Sequence, residues 1–295
     1  MRWPGWDERH ALMAPLYSLI EQPDLESPVL IMALKGWIDA GLGADTAADT
    51  IIQGLDRHTI ARFDADVLLD WRARRPVMRL EDGINSRLSW DETELTWARD
   101  LAGNDVLLLF GNEPDHAWLA FSDQVVDLVL DLGCRLVIGL GAYPTPVPHT
   151  RPPLLAASAS SEELAQGLVR NSVEVPSGVQ GMIERRAALR GLPALGLWAQ
   201  VPHYVAAMPY PAASLALIEA ANRVADIELP VGDLEDRAEA SRARIDELIG
   251  QNPEHRAMLE QLEQQADEHA TTELTAATGE ELVAELERFL REQGS

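Results

Sequence analysis

A chain of 295 residues, 46% of them hydrophobic, has enough apolar material for one large domain and an appendage. Its formal net charge of -24, from 48 acidic against 24 basic residues, argues against nucleic acid and membrane surfaces as partners, because both present negative charge. The single cysteine, Cys134, excludes an internal disulfide framework and a cysteine-held metal site, and the first fifteen residues sustain no apolar stretch of signal-peptide or anchor type, so a cytoplasmic protein is expected.

The first plain element is Val29 to Leu34, continuously apolar and stopped by Gly36, which reads as a strand buried on both faces. Leu42 to Leu55 follows with helical spacing, placing Ala47, Ile51 and Leu55 on one side. Between Phe63 and Trp97 the character changes. Val67-Leu68-Leu69 reads as a strand, and the alternation broken at Asp82-Gly83-Ile84-Asn85 predicts antiparallel hairpin strands.

A second buried strand is expected over Asp105 to Phe110, then a helix from Ala117 to Leu132 closed by Gly133. Leu136 to Leu140 gives a third strand, left by a proline-rich loop from Pro144 to Pro153. Cys134, just before that strand, reads as a buried, inert thiol. Ser160 with Glu163 has the form of a capping box opening a helix through Leu168. A helix around Met182 to Leu189, a strand from Ala194 to Val201 and a helix from Ala212 to Val224 complete the series.

Strands alternating with amphipathic helices predict an α/β domain over residues 15–230, with a mixed, mostly parallel sheet covered by helices. From residue 231 to 295 the composition turns to Glu, Gln, Ala and Arg. Leu234, Ala238, Ser241, Ile245 and Leu248 keep a 4-3-4-3 spacing, and Leu259, Leu262 and Ala266 repeat it, so an acidic helical segment is expected. Thr278 and Glu281 suggest a further cap before a last helix carrying Leu282, Leu286 and Phe289.

Loops at the carboxyl ends of parallel strands are where ligands gather, and the unusual residues of this chain fall there. Trp37 and Asp39 follow the first strand, Asn112, Glu113, Asp115 and His116 the second, His149 and Arg151 the third, and His203 the last. If these loops share one rim they form a polar cleft in which an imidazole beside carboxylates can act as a base and Arg151 can hold an anion. Plainer roles stand beside these: Asp39 can cap the next helix, Arg151 can sit in an ion pair, and His116 and His203 can be ordinary loop residues. No residue is assigned as catalytic. The nucleophile elbow, the glycine-rich phosphate loops and H-E-x-x-H are all absent from the sequence, so neither cofactor nor metal is expected.

Three segments taken together, Pro28-Val29-Leu30-Ile31 leading to Gly36-Trp37-Ile38-Asp39-Ala40-Gly41, then Gly111-Asn112-Glu113-Pro114, then Gly141 to Pro152 with its Pro-Thr-Pro-Val-Pro-His-Thr-Arg-Pro string, resemble the bacterial, especially actinobacterial, branch of the proteasome assembly chaperone 2 family. The resemblance covers residues 15 to 230. It implies a phosphorylase- or hydrolase-like α/β scaffold, assembly into oligomers and, as in eukaryotic and archaeal relatives, proteasome subunits as partners; a homo-oligomer is therefore expected, with a trimer as a guess that the resemblance does not itself supply. Eukaryotic and archaeal relatives commonly dock through a carboxyl-terminal hydrophobic-Tyr-any tail. The last residues here, Arg291-Glu292-Gln293-Gly294-Ser295, hold no Tyr, so docking by such a tail is not expected. Three functions are therefore set against each other: a protein-binding scaffold, a hydrolase or phosphorylase-type enzyme, and a metabolite-binding protein using the cleft.

Overall fold

The continuous apolar runs become the innermost strands of an eight-stranded sheet in the computed structural model, which describes residues 14–36, 38–90, 92–170 and 172–268. Trp37, the expected cap at Thr278, the helix expected beyond it and the last five residues lie outside the described residues.

The strands are β1 (Tyr17–Leu19), β2 (Val29–Lys35), β3 (His58–Phe63), β4 (Val77–Glu81), β5 (Ile84–Ser89), β6 (Glu94–Arg99), β7 (Asp105–Asn112), β8 (Leu136–Thr145), β9 (Leu155–Ala159) and β10 (Ala194–Pro202). The helices longer than one turn are α1 (Gly43–Gly54), α2 (Trp118–Asp131), α3 (Val179–Leu189), α4 (Pro211–Ala225), α5 (Leu234–Gly250) and α6 over 253–268. The main sheet runs β1-β3-β6-β7-β2-β8-β10-β9, and β4 with β5 forms a separate two-stranded ribbon.

The α/β architecture with a mixed, helix-covered sheet is as expected, and its parallel part is the central block β7-β2-β8-β10. Four of its seven pairings are nevertheless antiparallel: the outer strands β1, β3, β6 and β9 run against their neighbours, and β6 turns back into β7 through a connection too short for a parallel crossover. Along β2, Val29, Ile31 and Ala33 enter one core while Leu30 and Met32 enter the other, so each apolar run is buried on both sides. Helices α1, α4 and α5 cover the first face, and α2 and α3 cover the second.

Two sequence expectations fail for local reasons. Val67-Leu68 is not a strand: the Asp64 carboxylate accepts the amides of Asp66 and Val67, and this cap winds Ala65–Leu68 into a single helical turn. Ser160 opens no helix, because its hydroxyl accepts the amide of Ala194 at the start of β10 and only isolated turns follow. On α5 the buried positions are Leu234, Ile245 and Ile249, while Leu248 is exposed, so a straight 3.6-residue helix replaces the heptad drift. Asp82 and Gly83 both take positive φ, the geometry that a two-residue hairpin turn requires, as the sequence suggests.

Candidate functional site

The helices that follow β2 and β7 leave to opposite faces of the sheet, and this arrangement opens a crevice at the carboxyl end of β2. A cavity of about 270 Å³ lies there, bounded by Lys35, Asp39, Glu113, Gln180 and Trp198 among others. Two helix starts meet it. Gly41, at φ 65, makes the left-handed turn into α1, and a Cβ on it would collide with Tyr210. Asp39 then accepts the amides of Ala44 (2.8 Å) and Asp45 (2.9 Å), which is the capping role the sequence allowed. Across the cavity, Glu113 accepts the Val179 amide at the start of α3.

Burial raises the carboxyls of both Asp39 and Glu113 above the ordinary range, against the pull of those amides. Arg74 braces the Glu113 loop from outside. It donates to the Asn112 side chain (3.1 Å), to the Glu113 carbonyl (3.1 Å) and to Asp115 (3.1 and 3.2 Å), and its guanidinium holds the Asp115 carboxyl low. Lys35 pairs with Asp45 beside the same opening. Asp39, Asn112, Glu113 and Asp115 are therefore brought together, with Arg74 and Lys35 added.

His149 and Arg151 go elsewhere. The His149 side chain is fully buried: Nδ1 meets the Tyr204 hydroxyl at 2.7 Å and Nε2 meets Asp246 of α5 at 2.9 Å. The Tyr204 oxygen already accepts the His149 amide, so its proton is directed to Nδ1 and Nε2–H donates to Asp246. Burial pushes the Tyr204 hydroxyl up to about 12, which keeps it a donor. Thr150 donates to Glu263 of α6, and Arg151 grips Asp267 with two bonds of 2.9 and 2.8 Å. The proline-stiffened loop thus clasps both C-terminal helices, and with both ring nitrogens engaged His149 is not poised as a base. His116 and His203 are exposed: His116 stands beside Asp115, and the His203 ring meets Tyr204 edge to face with 5.4 Å between centroids.

Sequence reasoning passed over a second polar feature beneath the cavity. Glu184 of α3 is buried against the sheet, with its Oε2 accepting from Ser158 at 2.8 Å while Trp198 Nε1 reaches the same hydroxyl at 3.2 Å. The space exists because Gly139 and Gly196 have no side chains: a Cβ on either would fall within 2.7 Å of Glu184 Oε1. Burial pushes the Glu184 carboxyl up to about 7, although Ser158 and neighbouring Gln180 favour its charge. Gln180 Nε2 and Glu184 Oε1 have no hydrogen bond of ordinary geometry. The i, i+4 spacing of Gln180 and Glu184 on a helix over two strand glycines is the signal that would have found them. Among the described residues no cluster of three metal-ligating side chains occurs, and no helix is long and apolar enough to cross a membrane. Cys134 is buried and its thiol is pushed up to about 11, first by burial, so it is inert as read.

The PAC2 family profile matches residues 33–249. A protein of unknown function from Corynebacterium glutamicum ATCC 13032 is 35% identical, with 88% of this chain and 99% of that one covered at a TM-score of 0.81. A Mycobacterium tuberculosis protein of unknown function is 34% identical over 89% of this chain and 92% of its own, at 0.82. A third structure, a Mycobacterium tuberculosis proteasome-assembly chaperone homologue, is 33% identical over 79% and 99%, at 0.72. No functionally curated protein matches the chain.

Proposed function

The chain belongs to the PAC2 family, and from that premise we propose that it is a chaperone-like, protein-binding scaffold that works as a homo-oligomer, with proteasome components as its partners. The observation that carries the scaffold reading is the β4–β5 ribbon. It stands apart from the main sheet, and Val77, Met78, Leu80, Ile84 and Leu88 on it are 45 to 70% exposed. Met78 faces Leu88 across the ribbon and Leu80 lies two residues on, so these three share one side. At its base Trp90 meets Trp71 edge to face. A two-stranded ribbon has no core of its own, and an apolar side of this kind is stable when another surface covers it. A second copy of the chain supplies that surface in this proposal.

The clasp around His149 supports a rigid body rather than an open reaction cleft, since it ties the loop at the end of β8 to α5 and α6. Light scattering on the purified protein is expected to give a mass well above the single-chain 32.4 kDa, and Met78→Asp combined with Leu88→Asp to return it to that value. A wild-type mass of one chain would overturn the oligomer. Affinity purification from the native cells at mild salt is expected to retain proteasome α subunits, and truncation after Pro230 to lose them. Retention of the chain alone would remove proteasome components from the proposal.

A further inference from the structure

The packing of α3 on the sheet has a consequence that the scaffold reading does not use. Gly139, Gly196 and Ser158 stand in register across β8, β10 and β9, and this row of small residues receives the Glu184 side chain, which is 7% exposed. Those three strands carry no charged side chain, and the one charged residue of β2, Lys35, is paired with Asp45. Around α3, Arg186 is engaged by Asp123 and Arg190 by Asp127, Glu113 is held at the Val179 amide, and Arg185, Glu162, Glu163 and Arg170 are exposed. A carboxylate in this place meets no cation, so burial favours its neutral form.

The donors around Glu184 decide where the proton of that neutral form sits. Trp198 Nε1 donates to the Ser158 hydroxyl at 3.2 Å and the hydroxyl donates to Glu184 Oε2 at 2.8 Å, so Oε2 is committed as an acceptor. The proton belongs on Oε1. A Cβ on Gly139 would fall 2.6 Å from Oε1 and 2.4 Å from Gln180 Nε2, so both atoms lie over one glycine, and neither has a hydrogen bond. An amide that turns its N–H groups to a carboxylate suits the charged form. Turned to an O–H, it sets donor against donor, and only the amide oxygen can take that proton.

We propose that Glu184 and Gln180 form a proton-operated switch, in which the Gln180 amide directs Nε2 to the ionised carboxylate and turns over to accept from Oε1–H when the carboxyl is neutral. Gln180 is part of the wall of the cavity at the end of β2, so the turnover exchanges the group offered there. With Glu184 neutral the wall presents an N–H donor, and with Glu184 charged a carbonyl acceptor. Burial puts the changeover at about pH 7, against the pull of Ser158 and Gln180. The switch gives the cavity proton control and needs no protein partner.

Infrared and NMR spectroscopy of the full chain between about pH 5 and 9 test it. The difference between wild type and Glu184→Gln is expected to contain the carbonyl stretch of one protonated carboxylic acid, lost with a midpoint near 7. The Gln180 side-chain N–H2 resonance, identified by its loss in Gln180→Met, is expected to exchange with water more slowly as pH rises through that midpoint, because Nε2 then turns from the cavity to the interior. This runs against the ordinary base-catalysed acceleration, which Glu184→Gln is expected to restore. Absence of the acid band at pH 5 overturns the proposal, since Glu184 is then charged throughout. A band that titrates while Gln180 exchange only accelerates with pH also overturns it, because the amide then keeps one orientation.

Discussion

Two polar constructions sit at opposite ends of a scale of compensation. In the loop from His149 to Arg151 every charged or polar tip meets a complementary group on α5 or α6, and much of that contact is open to solvent. Under the sheet, Glu184 has a hydroxyl and an amide for neighbours, no cation and no water-facing side. The same residue type therefore serves opposite ends: a carboxylate on α5 docks a helix, while a carboxyl on α3 burdens the core whenever it is charged.

The largest expected effect sharpens this contrast. A carboxyl with a folded-state pKa near 7, against an ordinary 4.5, is bound to its proton more firmly in the folded chain. Its contribution to stability is therefore greatest at low pH, declines as pH rises from about 4.5 to 7, and is flat above. Glu184→Gln keeps the shape without the charge, with the Gln180 amide free to turn over and pair with it. Urea denaturation is expected to show the variant more stable than wild type by about 3 kcal/mol at pH 8 and nearly equal to it at pH 4.5. Equal stabilities at both values would mean that Glu184 is compensated in a way its neighbours do not reveal.

A smaller effect of opposite sign is expected from the clasp. His149→Ala leaves the Tyr204 hydroxyl and the Asp246 carboxylate without their shared partner and opens space in a buried position. A loss of about 2 kcal/mol, with faster proteolysis between α5 and α6, is the expected outcome. Unchanged proteolysis would show that apolar contacts from Leu234, Ile245 and Leu262 hold the helices unaided. The smallest effect belongs to Arg151→Ala, since its bonds to Asp267 lie in water. Its cost should fall within the error of urea denaturation at high salt and become measurable only at low salt.

Much of the frame could be read directly. Val29–Leu34, Asp105–Phe110 and Ala194–Val201 announce buried strands because continuous apolar runs fit only a sheet covered on both faces, and Gly133 marks a helix end through a conformation few other residues tolerate. Asp39 and Glu113 were found because loops at strand ends are few and conspicuous. Arg74 was not: nothing in Trp71-Arg72-Ala73-Arg74-Arg75 says which arginine turns inward.

What the sequence determined by itself is local: hydrophobic period, turn chemistry and the positions of strand-end loops all act over a few residues. Which of those loops meet was decided by tertiary structure. Whether His149 faces Glu113 or Asp246 depends on how α5, nearly a hundred residues further on, packs through Leu234, Ile245 and Ile249 onto the face that α1 and α4 share. The burial that raises Glu184 likewise exists only once α3 lies over Gly139 and Gly196, because desolvation belongs to the packed interior and not to the residue.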